Sequence, residues 1–226
     1  MITEAAHLEA ARFLRPLDYA YEDVKRRIMM NELKPGEVLT ELGLARGLGC
    51  SQGTVREALF RLQEDGLVTR AGRRGTTVTR LDAEEAQEII ALRRRIEMRG
   101  ALKAAQAVNA EALERVEALQ LDMERSAGEG DEPRLTELDI SFHQTLFRLS
   151  GLEALEQILM RCILHAHRWR LWAPSHRRPL METARRHRPI IAKLAAQDGE
   201  GLAEALGHHI DTIVTKPRKR LAHAVD

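Results

Sequence analysis

The fold of this chain is decided by residues 41–66, which read ELGLARGLGCSQGTVREALFRLQEDG. The first part of this stretch favours a short helix over residues 41–48, which Gly49 interrupts. Ser51 is a typical N-cap residue for a second helix, which ends at Gly66. Apolar residues recur on one face of this second helix, at Val55, Ala58, Leu59 and Leu62. Two short helices joined by a tight turn are typical of a helix-turn-helix.

The segments on either side of these two helices complete a larger motif. Upstream, Asp18 is placed to cap a helix that has one apolar face and ends before a Pro-Gly pair. Downstream, residues 67–69 and 76–79 are rich in β-branched side chains and flank a turn of glycine and arginine, which predicts a two-stranded hairpin. Three helices followed by a hairpin predict a winged helix-turn-helix over residues 18–80, preceded by an arm over residues 1–17.

The second helix of the pair is the one expected to face DNA. In a helix-turn-helix its first turn enters the major groove, where arginine bonds guanine and glutamine bonds adenine. Hydroxyl and backbone N–H groups at the same helix start suit phosphate oxygens, and arginines at the wing tip could reach the minor groove or the backbone. The residues predicted to contact DNA are Ser51, Gln52, Thr54, Arg56, Arg73 and Arg74. These residues alone leave open an interaction module that carries surface arginines and does not bind DNA.

The overall composition excludes several classes of protein. The 226 residues are 44% hydrophobic and 31% charged, which is ordinary for a soluble globular protein. The formal net charge is only +1, so it is the local excess of arginine within residues 51–80 that points to nucleic acid. Cys50 and Cys162 form neither a disulfide framework nor a zinc motif. Because we find no membrane-spanning apolar run and no signal-peptide core, we expect the protein in the cytoplasm.

After residue 80 the sequence predicts helices only. Asp82 and Glu85 form a capping-box-like pair at the start of the first helix, and Asn109 begins the next. The polar, glycine-rich residues 126–133 predict a loop. Further helical segments are predicted over about residues 135–149, 153–172, 180–197 and 200–215. The lack of strand signals favours an antiparallel all-helical bundle over residues 81–226.

Four residues of this helical region have the donor chemistry of a metal site. Asp139 and His143 are four residues apart, so both project from one face of a helix, beside an apolar row. His187 and His209 each lie beside the apolar residues of another predicted helix. One carboxylate and three imidazoles suit zinc, nickel or another late divalent ion. Periodicity alone leaves open the alternative that each is an isolated, hydrogen-bonded core residue.

The helix-turn-helix resembles that of the GntR family of bacterial transcription regulators. The usual core of that family reads VSRTPVREAL, and residues 50–59 read CSQGTVREAL. The resemblance extends upstream to Leu33-Lys34-Pro35-Gly36 and downstream to Val78, and it implies that the domain binds DNA. Gln52 stands where the family usually has arginine, which removes a charge from a base-reading position and implies a changed operator preference.

The helical region is similar to the metal-containing effector domains, of the FCD type, in the FadR-like branch of that family. Those domains carry Asp-x-x-x-His followed by two later histidines. The metal ligands that the resemblance implies here are Asp139, His143, His187 and His209. In that branch a small carboxylate completes the metal coordination and acts as effector. Leu152 and Arg186 depart from the family, which often has asparagine and glutamate at these positions.

One arginine is implied as an effector ligand. Arg93 occupies a position at which the family places an inward arginine, and a guanidinium there could pair with the carboxylate of an organic acid. Arg93 lies within a run of three arginines, so a solvated surface role is the alternative. Possible further walls of the pocket lie on another predicted helix, at His165, His167, Arg168 and Arg170.

The combined interpretation is a homodimeric transcription regulator that binds an inverted-repeat operator. Its helical domain would bind a divalent metal ion, zinc or nickel, and a small organic acid that modulates operator binding. A sensor in which the ion itself is the signal is an alternative. So are a purely structural or empty site and a helical metal-dependent hydrolase, although the winged helix argues against an enzyme.

Overall fold

The computed structural model describes residues 15–70, 75–172 and 178–212. The chain folds into two compact units, Met1–Ala86 and Gln87–Asp226. Within the described residues it is mostly helical, with one small sheet in the first unit, so the predicted fold class is confirmed. Most of the predicted N-terminal arm lies outside the described residues.

The first unit is built from three helices and three short strands in its described part. The helices are α1 (Pro16–Met29), α2 (Glu41–Leu48) and α3 (Gln52–Glu64), and the strands are β1 (Val38–Leu39), β2 (Val68–Arg70) and β3 (Thr76–Val78). Helix α1 packs against α3, and both bury their apolar faces in a common core. The buried residues of these two helices include Ala20, Val24, Ile28, Val55, Leu59 and Leu62. This packing leaves the N-terminal end of α3 exposed.

The start of α1 differs from the prediction. The helix begins at Pro16, whose fixed φ suits the first helical position, and the N-cap residue Arg15 makes no side-chain capping bond. The prediction that Asp18 caps this helix is therefore wrong. Asp18 lies in the first turn, where a negative charge is favourable, and forms ion pairs with Arg15 at 3.0 Å and with Arg61 at 2.9 Å.

The turn between α2 and α3 follows the sequence closely. The hydroxyl of Thr40 accepts the N–H of Gly43 at 3.1 Å and caps α2. Gly49 ends this helix with a φ of 64°, a left-handed conformation that favours glycine. The hydroxyl of Ser51 then accepts the N–H of Thr54 at 3.1 Å and caps α3, as predicted.

The sheet has one strand more than the predicted hairpin. Its order is β1-β3-β2 and all neighbours are antiparallel, with Val38 opposite Thr77 and Thr69 also opposite Thr77 on the other side. The β2–β3 pair confirms the hairpin. Strand β1 has only two residues, too few to show a period-two pattern in the sequence. The predicted hairpin tip, residues 71–74, lies outside the described residues.

Seven helices account for the described part of the rest of the chain. They are α4 (Ala83–Ala107), α5 (Ala110–Glu129), α6 (Glu132–Arg148), α7 (Glu153–Trp172), α8 (Leu180–Arg185), α9 (Arg188–Ala195) and α10 (Gly199–Asp211). Asp82 and Glu85 bond each other's backbone N–H at the start of α4, and Asn109 caps α5, both as predicted. No described residue beyond Val78 lies in a strand, which agrees with the predicted helical bundle.

The predicted loop over residues 126–133 is wrong. Helix α5 continues to Glu129 and α6 begins at Glu132, so the connection is Gly130 and Asp131 alone. Gly130 takes the left-handed conformation that ends α5, and Asp131 caps α6 by accepting the N–H of Arg134. The small polar residues that suggested a loop form the last turn of a helix instead.

The single helix predicted over residues 180–197 is also wrong. It is two helices, α8 and α9, which are separated at Arg186 and His187. Pro189 explains the break, because proline has no N–H to donate and its ring clashes with the carbonyl of the residue four positions earlier. That residue is Arg185, the last of α8. The break places His187 at a helix junction rather than within a helix.

The core of the second unit joins five helices around α6. Its buried members include Ala104, Val116, Met123, Leu138, Phe142, Leu146, Ile190, Leu194, Leu202 and Leu206. Leu92, an apolar residue of α4, lies outside this core and is 44% exposed. In the described ranges, none of the helices combines the length and the apolar character needed to cross a membrane.

Candidate metal centre and nucleic-acid interface

Four side chains with metal-ligand chemistry meet inside the second unit. Asp139 and His143 lie one turn apart on α6, His187 lies at the junction of α8 and α9, and His209 lies on α10. One donor atom from each lies within 4.8 Å of the other three, and all four residues are buried. An ion that holds such donors at about 2.0–2.2 Å spaces them by at most roughly 4.4 Å. The 4.8 Å within which the donor atoms lie is close to that limit.

The donor atoms face one another. Nε2 of His143 lies 3.3 Å from Nε2 of His209, and Nε2 of His187 lies 3.3 Å from Oδ1 of Asp139. Among the described residues, Nε2 of His187, which faces the cluster, has no hydrogen-bond partner. Buried polar atoms are nearly always paired, so this arrangement fits donors that hold a cation.

The opposite ring nitrogens of two histidines are fixed by acceptors. Nδ1 of His143 donates to the carboxylate of Glu97 at 2.6 Å, and Nδ1 of His187 donates to the carbonyl of Ala184 at 3.0 Å. Because these oxygens only accept, each Nδ1 carries the proton and each Nε2 directs its lone pair at the cluster. Burial lowers the pKa of His143 and of His209, which keeps both imidazoles neutral and able to bind a metal.

Glu97 is a functional residue that the sequence analysis missed. It lies on α4, and its other carboxylate oxygen accepts Nε of Arg93 at 2.6 Å. Burial opposes the ionisation of Glu97, but Arg93 and His143 outweigh it and lower its pKa to about 2. The four-residue spacing of Arg93 and Glu97 on one helix face was the available signal.

Arg93 is the fully buried member of its run of three arginines, whereas Arg94 is half-buried and Arg95 is exposed. Its Nη1 and Nη2 atoms are buried and have no hydrogen-bond partner among the described residues. It does not belong to the set of side chains that line the cavity beside the metal-ligand cluster. Arg93 thus supports Glu97 and, through it, His143.

A small cavity adjoins two of the four donor residues, Asp139 and His209. It is lined by Asp139, His167, Arg170, Arg178, Thr183, Arg186 and His209. Two of the suggested pocket walls, His167 and Arg170, are in this set, and His165 and Arg168 are not. Burial lowers the pKa of Arg186 to about 10. Among the described residues that line it, three carry a guanidinium group and one carries a carboxylate.

Two of these arginines also bond the end of α10. Nη2 of Arg186 donates to the carbonyl of His209 at 2.6 Å and to the hydroxyl of Thr212. Nη2 of Arg178 donates to the carbonyl of Thr212. Cations are favourable at the C-terminal end of a helix, so these contacts stabilise α10 where His209 lies. In the sequence, Arg186 is visible only as a departure from the family pattern, and no motif distinguishes Arg178.

The predicted DNA-contacting residues of α3 lie at its exposed start. Ser51 and Gln52 are exposed, and Thr54 is half-buried. Because the Ser51 hydroxyl bonds both the N–H and the hydroxyl of Thr54, the cap itself occupies one of the N–H groups that the sequence assigned to phosphate. Arg73 and Arg74 lie outside the described residues.

Arg56 has a partner that the sequence did not indicate. The carboxylate of Glu41, the first residue of α2, accepts Nη2 of Arg56 at 2.7 Å and Nε at 3.1 Å. Arg70 of β2 approaches the same carboxylate at 3.6 Å. Hydrogen bonding to Arg56 lowers the pKa of Glu41. The ion pair holds the Arg56 guanidinium at the surface of the helix-turn-helix.

A winged helix-turn-helix joined to a helical domain defines a class of DNA-binding transcription regulators. Residues 17–78 match the family described as bacterial regulatory proteins, gntR family, and residues 88–212 match the FCD domain. This chain belongs to the GntR family of bacterial transcription regulators and carries an FCD domain. The family consists of regulators rather than enzymes, so the hydrolase alternative is excluded.

Curated relatives and solved structures agree with this assignment. The chain is 30% identical over 187 residues to the Nta operon transcriptional regulator of Aminobacter aminovorans, covering 80% of this chain and 86% of that one. It is 26% identical over 200 residues to the HTH-type transcriptional repressor RspR of Escherichia coli, covering 88% and 87%. The fold is similar to that of E. coli McbR/YncC, with a TM-score of 0.75 and 22% identity, covering 88% and 95%.

Proposed function

We propose that this regulator binds an inverted-repeat operator as a homodimer, and that its second unit binds a divalent metal ion together with a small organic acid that modulates operator binding. The observation that carries the proposal is the cluster of four buried donors, two of which have a ring nitrogen fixed by an acceptor on the far side. An operator-binding protein works where the DNA is, so we infer a cytoplasmic location. RspR is a transcriptional repressor, and we propose that this chain also represses transcription.

The donor set limits the metal. Three imidazoles and one carboxylate suit zinc or nickel, whereas magnesium and calcium prefer oxygen ligands. We infer that Asp139, His143, His187 and His209 hold the ion. Such an ion would supply an electrophilic centre that attracts a carboxylate. Elemental analysis of protein purified without a metal-affinity tag should find one ion per chain.

The cavity walls support an anionic effector. Arg170, Arg178 and Arg186 surround the space next to the donors, and arginine pairs readily with carboxylates. Arg93 does not line the cavity, but its Nη1 and Nη2 atoms are buried and have no hydrogen-bond partner among the described residues. They would offer further donors to the acid if the cavity opened toward α4. A metal sensor remains the second candidate function, because the donor cluster is complete without the acid. Titrating zinc alone against operator binding separates the two, since only a sensor responds fully to zinc without an acid.

The proposed DNA contacts rest on the exposed start of α3. Gln52 and Arg56 are exposed there and have the chemistry to read base edges. The dimer follows from the small number of bases that one winged helix contacts, which is too few for strong specificity. Sedimentation with and without operator DNA measures the assembly, and a monomer under both conditions would contradict this part of the proposal.

Replacing Arg56 with alanine should weaken specific operator binding by about 1–3 kcal/mol, or roughly 5- to 150-fold in Kd, if its guanidinium makes a bidentate base contact. The measurement is fluorescence anisotropy with a labelled operator at fixed salt. Arg115→Ala is the matched control, because Arg115 is an exposed arginine in an ion pair with Glu111 on α5. An Arg56→Ala affinity equal to that of the control would remove Arg56 from the base-reading role.

A further inference from the structure

We propose that His167 holds one oxygen of Asp139 by a hydrogen bond, so that Asp139 offers only its other oxygen to the metal ion and a coordination position stays open for the acid. This inference rests on the proposed function and deepens it. It makes His167 a positioning residue, which acts through Asp139 rather than as a fifth ligand. It starts from the different neighbours of the two carboxylate oxygens of Asp139.

The two oxygens of Asp139 lie beside different histidines. Oδ1 lies 3.3 Å from Nε2 of His187, which is one of the four donor residues. Oδ2 lies 2.9 Å from Nε2 of His167, and Nε2 of His143 is farther from it, at 3.6 Å. Oδ1 therefore makes the shorter contact with the donor cluster, whereas the nearest imidazole to Oδ2 is that of His167.

His167 is buried on α7 and lies outside the donor cluster. It is 3% exposed, and it is not a member of the group whose donor atoms all lie within 4.8 Å of one another. Among the described residues, neither its ring nitrogens nor Oδ2 of Asp139 have a hydrogen-bond partner. The contact between Nε2 and Oδ2 thus has the length of a hydrogen bond but not the alignment. Buried polar atoms are costly to leave unpaired, so a small rotation of either group that aligns them is favourable.

The chemistry of the two groups fixes the direction of this bond. An ionised carboxylate can only accept, and a neutral imidazole has one N–H, so Nε2 of His167 must carry the proton. Carboxylates that bind metals are commonly hydrogen-bonded in turn by neighbouring residues. An oxygen that accepts the N–H of His167 has less of its lone-pair density to offer to an ion. Without that N–H, both oxygens of Asp139 are free to bind.

The number of oxygens that Asp139 uses decides whether the acid has a place. Zinc binds four ligands and in some states five. Three imidazoles and one oxygen of Asp139 supply four donor atoms, and a second oxygen would supply a fifth. Asp139 and His167 both line the small cavity, so their contact lies at the edge of the space that the acid would enter. By holding Oδ2, His167 would keep the fifth position for the acid.

The first test reads the proton of His167 directly in the full-length, zinc-loaded chain. Nitrogen-15 NMR of the histidine rings distinguishes a protonated Nε2 from an unprotonated one. We expect His167 to carry its proton on Nε2, and we expect this proton to exchange slowly with water because the side chain is buried. An unprotonated Nε2 could not donate to Asp139 and would overturn the inference. This measurement needs no variant, so it holds even if a variant fails to fold.

The second test removes the N–H and measures the coordination. His167→Leu should still bind one Co²⁺ ion per chain, but its visible absorption should be weaker than that of the unchanged protein, because the absorption of Co²⁺ falls as its coordination number rises. Acetate, titrated as the probe acid, should bind about tenfold or more weakly, as the loss of a hydrogen bond to a charged group implies. His167→Gln should restore much of both properties, since its amide also has N–H donors.

Gln120→Leu is the control for the loss of a buried polar side chain. Gln120 lies on α5, is 5% exposed and donates to Glu124 at 2.8 Å rather than to a donor residue. It should leave the absorption of Co²⁺ and the affinity for acetate unchanged. A general loosening of the second unit would instead alter both properties in this variant as well, and that result would contradict a specific role for His167.

The outcomes separate this inference from the proposed function. A His167→Leu protein with the Co²⁺ absorption and the acetate affinity of the unchanged chain would overturn the role of His167 alone. An unchanged chain that takes up neither zinc nor Co²⁺ would overturn the metal site of the proposed function. An unchanged chain that binds Co²⁺ but whose absorption acetate does not alter would overturn the open position. A protonated Nε2, together with weaker absorption in His167→Leu and recovery in His167→Gln, would support the inference.

Discussion

The His187→Ala variant is expected to lose stoichiometric metal binding, with an affinity for zinc reduced by more than about 100-fold. The change removes one of the three imidazoles, and loss of even a supporting contact around a metal ligand costs about 10- to 100-fold. Solvent cannot easily replace the missing donor, because His187 is fully buried against the ring of Phe142, with ring centroids 4.7 Å apart. Competition with a chromophoric chelator measures the affinity.

His208→Ala is the matched control for this experiment. His208 precedes the proposed ligand His209 on α10, but its side chain is exposed. We expect the control to bind zinc as the unchanged protein does, whereas His209→Ala should lose the ion as His187→Ala does. A His187→Ala protein that retains one ion per chain would remove His187 from the ligand set.

Thermal unfolding gives an independent readout of the same prediction. A ligand that binds only the folded state stabilises it by RT ln(1 + [L]/Kd), so removing the ion should lower the melting temperature of the unchanged protein. The same chelator should have little further effect on His187→Ala. DNA binding should persist in that variant, because the first unit has a core of its own. A chelator shift of equal size in both proteins would contradict the ligand assignment.

The candidate site could be predicted from the sequence where its information is local. Asp139 and His143 are one helical turn apart, and that spacing alone places them on one face of α6. The prediction that His187 and His209 lie at the same point was based on their apolar neighbours and on the family resemblance. The structure brings all four donors together. That they bind a metal stays a prediction.

The parts that the sequence could not supply depend on contacts between distant elements. Glu97 supports His143 from 46 residues away, and Glu41 of α2 pairs with Arg56 of the next helix, α3. The four-residue spacing indicates that Glu97 pairs with Arg93, but no periodic pattern reveals the distant partner of either carboxylate. The junction at His187 is different, because Pro189 was visible and predicts the helix break by its missing N–H. The apolar periodicity of residues 180–197 favours one helix, but the proline outweighs it.

The boundaries of the helices and strands were likewise predictable where local residues set them, and not where distant contacts set them. The helix-turn-helix was predictable because Gly49 and Ser51 each act on their immediate neighbours. Strand β1 was missed because its two residues are defined by pairing with β3, which is a distant contact. The prediction of a loop over residues 126–133 was wrong for a related reason. Its small polar residues are compatible with a loop, and the burial of Ser126 in the fold decides otherwise.

Replacing Phe142 with alanine should destabilise the second unit by about 3–5 kcal/mol. The ring is fully buried in the core between Leu138 and Leu146 of the same helix face, and its deletion leaves a cavity that the neighbours fill only in part. The ring also packs edge-on against His187, so the loss should loosen that side chain and weaken zinc binding in addition.

Urea unfolding followed by tryptophan fluorescence measures the effect on the second unit specifically. The chain has two tryptophans, Trp169 and Trp172, and both lie on α7. Phe60→Ala is the matched control, because Phe60 is 51% exposed on α3 and contacts Arg70 rather than a core. The control should leave the fluorescence midpoint unchanged and cost the first unit no more than about 1 kcal/mol. A loss of less than about 1 kcal/mol in the free energy of unfolding of the second unit would contradict this prediction. It would mean that the helices around α6 fill the space left by the ring, and that the ring does not hold His187 in place.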